Sequence, residues 1–169
     1  FSLCFSQQLP LSNQYIYMKK KNLIISVDGP AGSGKERIAK YIAKKYKLYH
    51  LDSGILYRRI AKFFIDENIE GKNSKEIKEK LKKIKKISPR SHKSLRKENL
   101  SKFTSRLAKK VLIRDFINQQ QKIIVNNKLK IYRGCVIDGR DIGSKVFKKA
   151  KIKLFIEVKA EIRAKRRHK

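Results

Sequence analysis

Gly29-Pro30-Ala31-Gly32-Ser33-Gly34-Lys35 decides the fold of this 169-residue chain. The run Leu23-Ile24-Ile25-Ser26-Val27 ahead of it reads as a strand. Behind it, Ile38, Ala39, Ile42 and Ala43 recur on one side of a helix predicted over 36–47. Strand, glycine turn and helix in that order describe a phosphate-binding loop. Glycines permit the tight turn that aims successive backbone N–H groups into one concavity, and the helix N-terminus behind it adds a dipole favourable to anionic phosphate. Lys35 is placed to reach the terminal phosphates of a nucleotide.

The residues after that lysine depart from the pattern. A working loop carries a Ser or Thr hydroxyl there to hold Mg²⁺; this chain has Glu36 and Arg37. A carboxylate beside phosphate oxygens repels them unless a metal sits between, and a guanidinium offsets charge without ligating a cation. Nucleotide binding is therefore more firmly encoded than catalysis.

The length suits one α/β domain with a real core, and 40% hydrophobic residues support a globular fold. Lys+Arg 45 against Asp+Glu 14 gives a formal charge of +31, which brings nucleic acid, anionic membranes and phosphorylated small molecules into view as partners. The lysines are spread over every segment rather than gathered in one stripe, so a dedicated nucleic-acid role is not expected. Cys4 and Cys135 stand far apart without metal-ligand spacing, and His50, His92 and His168 form no cluster with them. Cys135 lies in an apolar run and is expected as a buried, reduced thiol. No apolar run approaches the ~20 residues that span a bilayer, and a cytoplasmic, soluble protein is expected. Residues 1–17 are nearly free of charge, whereas lysines begin abruptly after Met18. That is the reverse of a signal peptide, and Met18 is read as the true start, with 1–17 an extension that is not native coding sequence or is disordered.

Beyond the loop, Leu48 to Leu51 reads as a short strand ending at Asp52-Ser53-Gly54, with Ser53 expected to cap the helix that starts near Ile55. Ser53 and Arg58 thereby flank a helix N-terminus beside the phosphate loop. An amphipathic helix is predicted over 73–86, a polar linker over 88–94, and a helix over 98–128 in two pieces bent near Lys110, with Arg114 early in the second. Tyr132 to Asp138 reads as a buried strand running into Gly139-Arg140-Asp141-Ile142-Gly143, and strand-end acids at the carboxyl edge of a parallel sheet are where ligands bind. A last strand over 152–156 leads into a basic helix over 160–169.

The segments IISVDGPAGSGK (24–35), YHLDSGILYRRIA (49–61), SRLAKKVLIRDFINQQQK (105–122), VIDGRDIGSKVF (136–147) and KLFIEVKAEIRAKRR (153–167) together resemble the bacterial cytidylate kinase family of P-loop nucleoside monophosphate kinases. The paired DSG-x-x-YR and DGRDIG motifs are far more specific than the phosphate loop alone. The resemblance implies a P-loop NTPase-type three-layer α/β/α fold with a parallel sheet, a kinase domain over 18–169 and a short helical acceptor-binding insert at about 65–115. It implies a monomeric enzyme that transfers the γ-phosphate of ATP to CMP or dCMP with Mg²⁺. Gly29, Pro30, Ala31, Gly32, Ser33, Gly34, Lys35, Glu36 and Arg37 then form the ATP site, with Lys35 catalytic. Ser53, Arg58, Ser105, Arg114, Arg140 and Asp141 hold the acceptor nucleotide, and Asp138 holds Mg²⁺ through water. Compared with the family, the segment between Ile87 and Asn99 is too short for the small antiparallel sheet many members insert there. Arg163, Arg166 and Arg167 match the approach to a mobile lid, and the lid, last strand and last helix are expected to be missing, as from an incomplete reading frame. Two other readings stay open: a degenerate nucleotide-binding protein without phosphoryl transfer, and a basic nucleic-acid-binding protein.

Overall fold

A computed structural model describes residues 22–96 and 98–167, so the extension expected over 1–17, Cys4 and His168 lie outside the described residues. Leu23–Asp28 forms β1, whose last four residues are buried. It is apolar on both faces because it lies inside the sheet, paired in parallel with β3 (Gly134–Gly139) on one side and β4 (Ile152–Phe155) on the other. β2 (Tyr49–Asp52) adds outside β3, which gives the order β2-β3-β1-β4, parallel throughout.

Parallel neighbours cannot be joined by tight turns, so helices cross over the sheet. α1 (Lys35–Lys45) covers one face, where Ala39 and Ala43 pack with Ile25, Val27, Leu48 and Val136. α2 (Ser53–Asp66) and α5 (Val111–Leu129) cover the other, in a larger core with Cys135, Ile137, Leu56, Phe64, Ile113 and Ile117. Alternation along β3 divides the two cores: Val136 serves one, and Cys135 and Ile137 the other. This is the expected three-layer α/β/α arrangement. Between α2 and α5 lie α3 (Ser74–Lys82), a 3₁₀ turn over Lys93–Arg96 and α4 (Glu98–Leu107); α6 (Ala160–Arg167) follows β4.

Several boundaries differ from the sequence reading. Asp52, not Ser53, caps α2: its backbone is extended and its Oδ1 accepts from the Gly54 N–H at 2.8 Å, while Ser53 is already the first helical residue. The helix expected over 73–86 is capped by Asn73 but ends at Lys82. The chain leaves the helical path to bury Ile87, whose N–H donates to Gln120 Oε1 at 3.1 Å, and Pro89 then favours an extended Ser88. The bend expected near Lys110 is a break, with Lys110 extended as the N-cap of α5. Cys135 is buried and unpaired, and burial pushes its thiol up to about 12.

Candidate functional site

The strand register brings the carboxyl ends of the sheet level, with Asp28 opposite Gly139 and Phe155, and Asp52 opposite Asp138. Four loops therefore open onto one edge. The phosphate loop leaves β1 there. Gly34 caps α1 at φ +87°, a left-handed conformation costly for a residue with a Cβ, and no side chain caps this helix. The Arg37 and Ile38 N–H groups donate to the Gly34 carbonyl at 3.0 and 3.2 Å, and the positive end of the helix dipole faces the loop. At Gly29 a Cβ would stand 2.6 Å from the Ile156 carbonyl, so only glycine lets the loop pass that close to the strand end. Ser33 is buried and its hydroxyl has no hydrogen-bond partner among the described residues.

A cleft of about 590 Å³ is lined by residues 32–38 together with Arg166 of α6. Arg166 Nη1 donates to the carbonyls of Gly32 and Ser33 at 3.3 and 3.4 Å, which lays α6 across the loop. Lys35 Nζ donates to the Pro30 carbonyl at 3.2 Å. Burial lowers the Lys35 pKa, while Asp138, Asp52 and Glu36 oppose that shift. Glu36 sits in the first turn of α1 with Oε1 2.6 Å from Lys40 Nζ. Asp52 is raised, first by burial and then by the carboxylates of Asp138 and Glu36. Negative charge thus gathers around one half-buried ammonium.

Across the edge from this loop a second cluster forms. Arg114 Nη2 donates to Asp141 Oδ2 at 3.0 Å, and Lys145 stands 3.7 Å from the same oxygen. Ser53 packs against the end of β3, where a Cβ on Gly139 would lie 2.7 Å from its Oγ. Arg140 is exposed just beyond. Arg58 points into the helical insert: Nη1 donates to the Leu95 carbonyl at 2.7 Å and to Ser101 Oγ at 3.0 Å. Ser105 is exposed on α4, one turn beyond Ser101. The sequence reading thus names residues of two adjoining clusters, with Arg58 and Ser105 on the insert side.

Three residues given no role in that reading are built into the edge. Asp28 accepts from the Ile142 and Gly143 N–H groups, each at 2.8 Å, and so ties the end of β1 to the loop carrying Arg140 and Asp141. Tyr57 is pushed up to about 12, mostly by burial and then by Asp141, with Arg114 and Arg140 pulling the other way; it belongs to the Arg114–Asp141 cluster. His50 Nε2 lies 2.6 Å from Asp138 Oδ1. All three fall within the quoted segments, and Tyr57 stands in the DSG-x-x-YR motif itself, but nothing in the type of a lone histidine in a strand marks it for a role.

Among the described residues, no three or more His, Cys, Asp or Glu gather as a metal cage. The donor set nevertheless fits a magnesium ion, which keeps several waters and takes one or two carboxylates plus phosphate oxygens. Asp138 and Asp52, paired across β3 and β2 beside Lys35, supply such carboxylates. No helix among the described residues is long and apolar enough to cross a membrane.

The chain resembles known proteins along most of its length. It is 38% identical to the cytidylate kinase of Fusobacterium nucleatum over 156 residues, 87% of this chain and 69% of that protein. The cytidylate kinase of Thermosipho africanus is 37% identical over 153 residues, 86% of this chain and 66% of its own length. A bifunctional pantoate ligase/cytidylate kinase of Prochlorococcus marinus is 34% identical over 167 residues, 90% of this chain but 32% of that protein. A crystal structure of TT1252 from Thermus thermophilus matches with a TM-score of 0.48 at 14% identity, covering 87% of this chain and 71% of its own. The family model for cytidylate kinase matches residues 25–169, taking in the phosphate loop, the Arg114–Asp141 cluster and α6, and the chain accordingly belongs to the cytidylate kinase family of nucleoside monophosphate kinases.

Proposed function

We propose that this chain transfers the γ-phosphate of ATP to CMP or dCMP, giving ADP and CDP or dCDP, in the cytoplasm and as a step in pyrimidine nucleotide metabolism. One observation carries the reading: the phosphate loop and the Arg114–Asp141 cluster open onto the same edge of the sheet, tied together by Asp28. The phosphates of ATP lie along residues 29–37, taking the N–H groups at the start of α1, with Lys35 countering charge on the transferring phosphoryl group. Arg114 and Arg58 grip the acceptor phosphate, while Asp141, Arg140, Ser53 and Ser105 orient base and sugar. The acceptor side is completed by the insert at about 65–115, within one kinase domain over 18–169. Such a reaction asks little covalent chemistry of the protein; positioning and neutralisation lower the barrier. Mg²⁺, held through water by Asp138 with Asp52 beside it, neutralises phosphate charge when bound.

A second reading, nucleotide binding without turnover, is favoured by Glu36, which occupies the first turn of α1 where a hydroxyl is expected. A coupled assay of ADP release with Mg²⁺-ATP and CMP, dCMP or UMP separates the two. Turnover with CMP or dCMP well above that with UMP is the expected result. ATP binding by calorimetry with no turnover of any monophosphate would leave the binding protein as the correct reading.

A further inference from the structure

His50 and Asp52 alternate on β2, and Val136 and Asp138 on β3, with His50 opposite Val136 and Asp52 opposite Asp138. Val136 belongs to the core under α1, so all four side chains share the sheet face that α1 covers, and α1 begins with Lys35. His50 reaches Asp138 along the diagonal between the strands, its Nε2 lying 2.6 Å from Oδ1. Asp138 is 3% exposed and sits beside a second carboxylate, Asp52, which is already held by the Gly54 N–H. A buried carboxylate in such company needs a donor to stay in place. Because a carboxylate only accepts, Nε2 is the protonated nitrogen of the ring.

We propose that His50 is a positioning residue of the phosphoryl-transfer site, committing Asp138 Oδ1 to its Nε2–H so that Oδ2 is the oxygen presented to the metal and phosphate end of the cleft. The inference rests on the functional reading above. The His50 side chain is 17% exposed and that of Asp138 3%, so the bond lies at the margin of the α1-side core, at the carboxyl end of the sheet. The bond ends on a carboxylate that acts on the Lys35 ammonium, opposing the pull of burial on its pKa. Orienting a ligand through its other oxygen is the usual work of an outer-shell partner.

The test is calorimetry of ATP binding to the whole chain, with and without MgCl₂, for the unaltered protein, His50→Leu and His50→Gln. The gain in ATP affinity on adding Mg²⁺ should fall about tenfold in His50→Leu. His50→Gln, whose amide N–H can replace Nε2–H, should regain most of it, and all three should bind metal-free ATP alike. His50→Ala gives the same comparison if leucine disturbs folding. An unchanged Mg²⁺ gain in His50→Leu, a glutamine variant as impaired as leucine, or an equal loss of metal-free binding would each overturn the assignment. So would the absence of any Mg²⁺ gain in the unaltered chain. A gain that behaves as expected in a chain that never turns over CMP supports the His50 role and overturns only the kinase reading.

Discussion

Arg114 and Asp141 were expected as separate contacts to the acceptor, one for its phosphate and one for its base. Their 3.0 Å ion pair makes them one unit, each about a third exposed. A nucleotide bound as proposed meets a guanidinium that already has a partner. Asp141→Ala should weaken CMP binding by about 1.5–3 kcal/mol, the worth of a charge-assisted hydrogen bond, with ATP binding nearly unchanged. UMP should suffer less than CMP. Arg114→Ala should weaken both monophosphates alike. Because the two side chains touch, their effects should not add, and the double variant should reveal a coupling on the order of 0.5 kcal/mol or more. Calorimetry of the two single variants and the double variant against CMP, UMP and ATP measures all of this; strict additivity, or CMP affinity untouched by Asp141→Ala, would remove the basis for the assignment. The chemical types were readable from the chain, but the pairing joins residues 27 positions apart and exists only once α5 packs beside the end of β3.

At the scale of elements, the helix ends show where local reading works and where it fails. Asn73 is a strong N-cap by type, and its Oδ1 accepts from Lys75 and Glu76 N–H groups at 2.8 and 3.4 Å. Asn73→Ala should lower stability by about 1 kcal/mol, read as a shift of the urea midpoint at constant slope, while Asn73→Gly should cost only a few tenths. Equal losses for the two would show that the cap bond is not the source. Ser53 is an equally good cap by type and yet does not cap, because Asp52 ends β2 in an extended conformation one residue earlier and takes the Gly54 N–H. Two adjacent residues competed for one cap. The end of β2, set by pairing with β3, decided between them.

Across the whole molecule, the formal charge of +31 sets the electrostatics. Like charges spread over every face repel one another, and salt shortens their reach from ~10 Å at 0.1 M to ~3 Å at 1 M. Stability should therefore rise with NaCl over that range, on the order of 1 kcal/mol or a few degrees in Tm. A thermal melt that is flat or falls with salt would mean that surface ion pairs such as Lys62–Asp66 and Lys80–Glu67 outweigh the general repulsion.

The order of strand, glycine loop and helix, and the burial of β3, follow from the sequence alone, because both are written in local pattern. β1 and β3 read as buried strands because they are apolar on both faces, and burial on both faces is what a parallel sheet between helices demands. Lys35 could be picked out by type and spacing in the glycine loop, Ser53 and Asp138 by their place at a helix start and a strand end, and Asp141 through the resemblance to the family's DGRDIG motif. What only the tertiary structure decided are contacts whose partners are far apart in the chain and ordinary in type. His50 meets Asp138 across 88 positions, and Asp28 holds the Ile142 and Gly143 N–H groups across 114 and 115. No local pattern encodes such pairs. They appear when parallel strand register sets Asp52 level with Asp138 and Asp28 one residue beyond, at one edge of the sheet, where burial leaves these carboxylates needing donors.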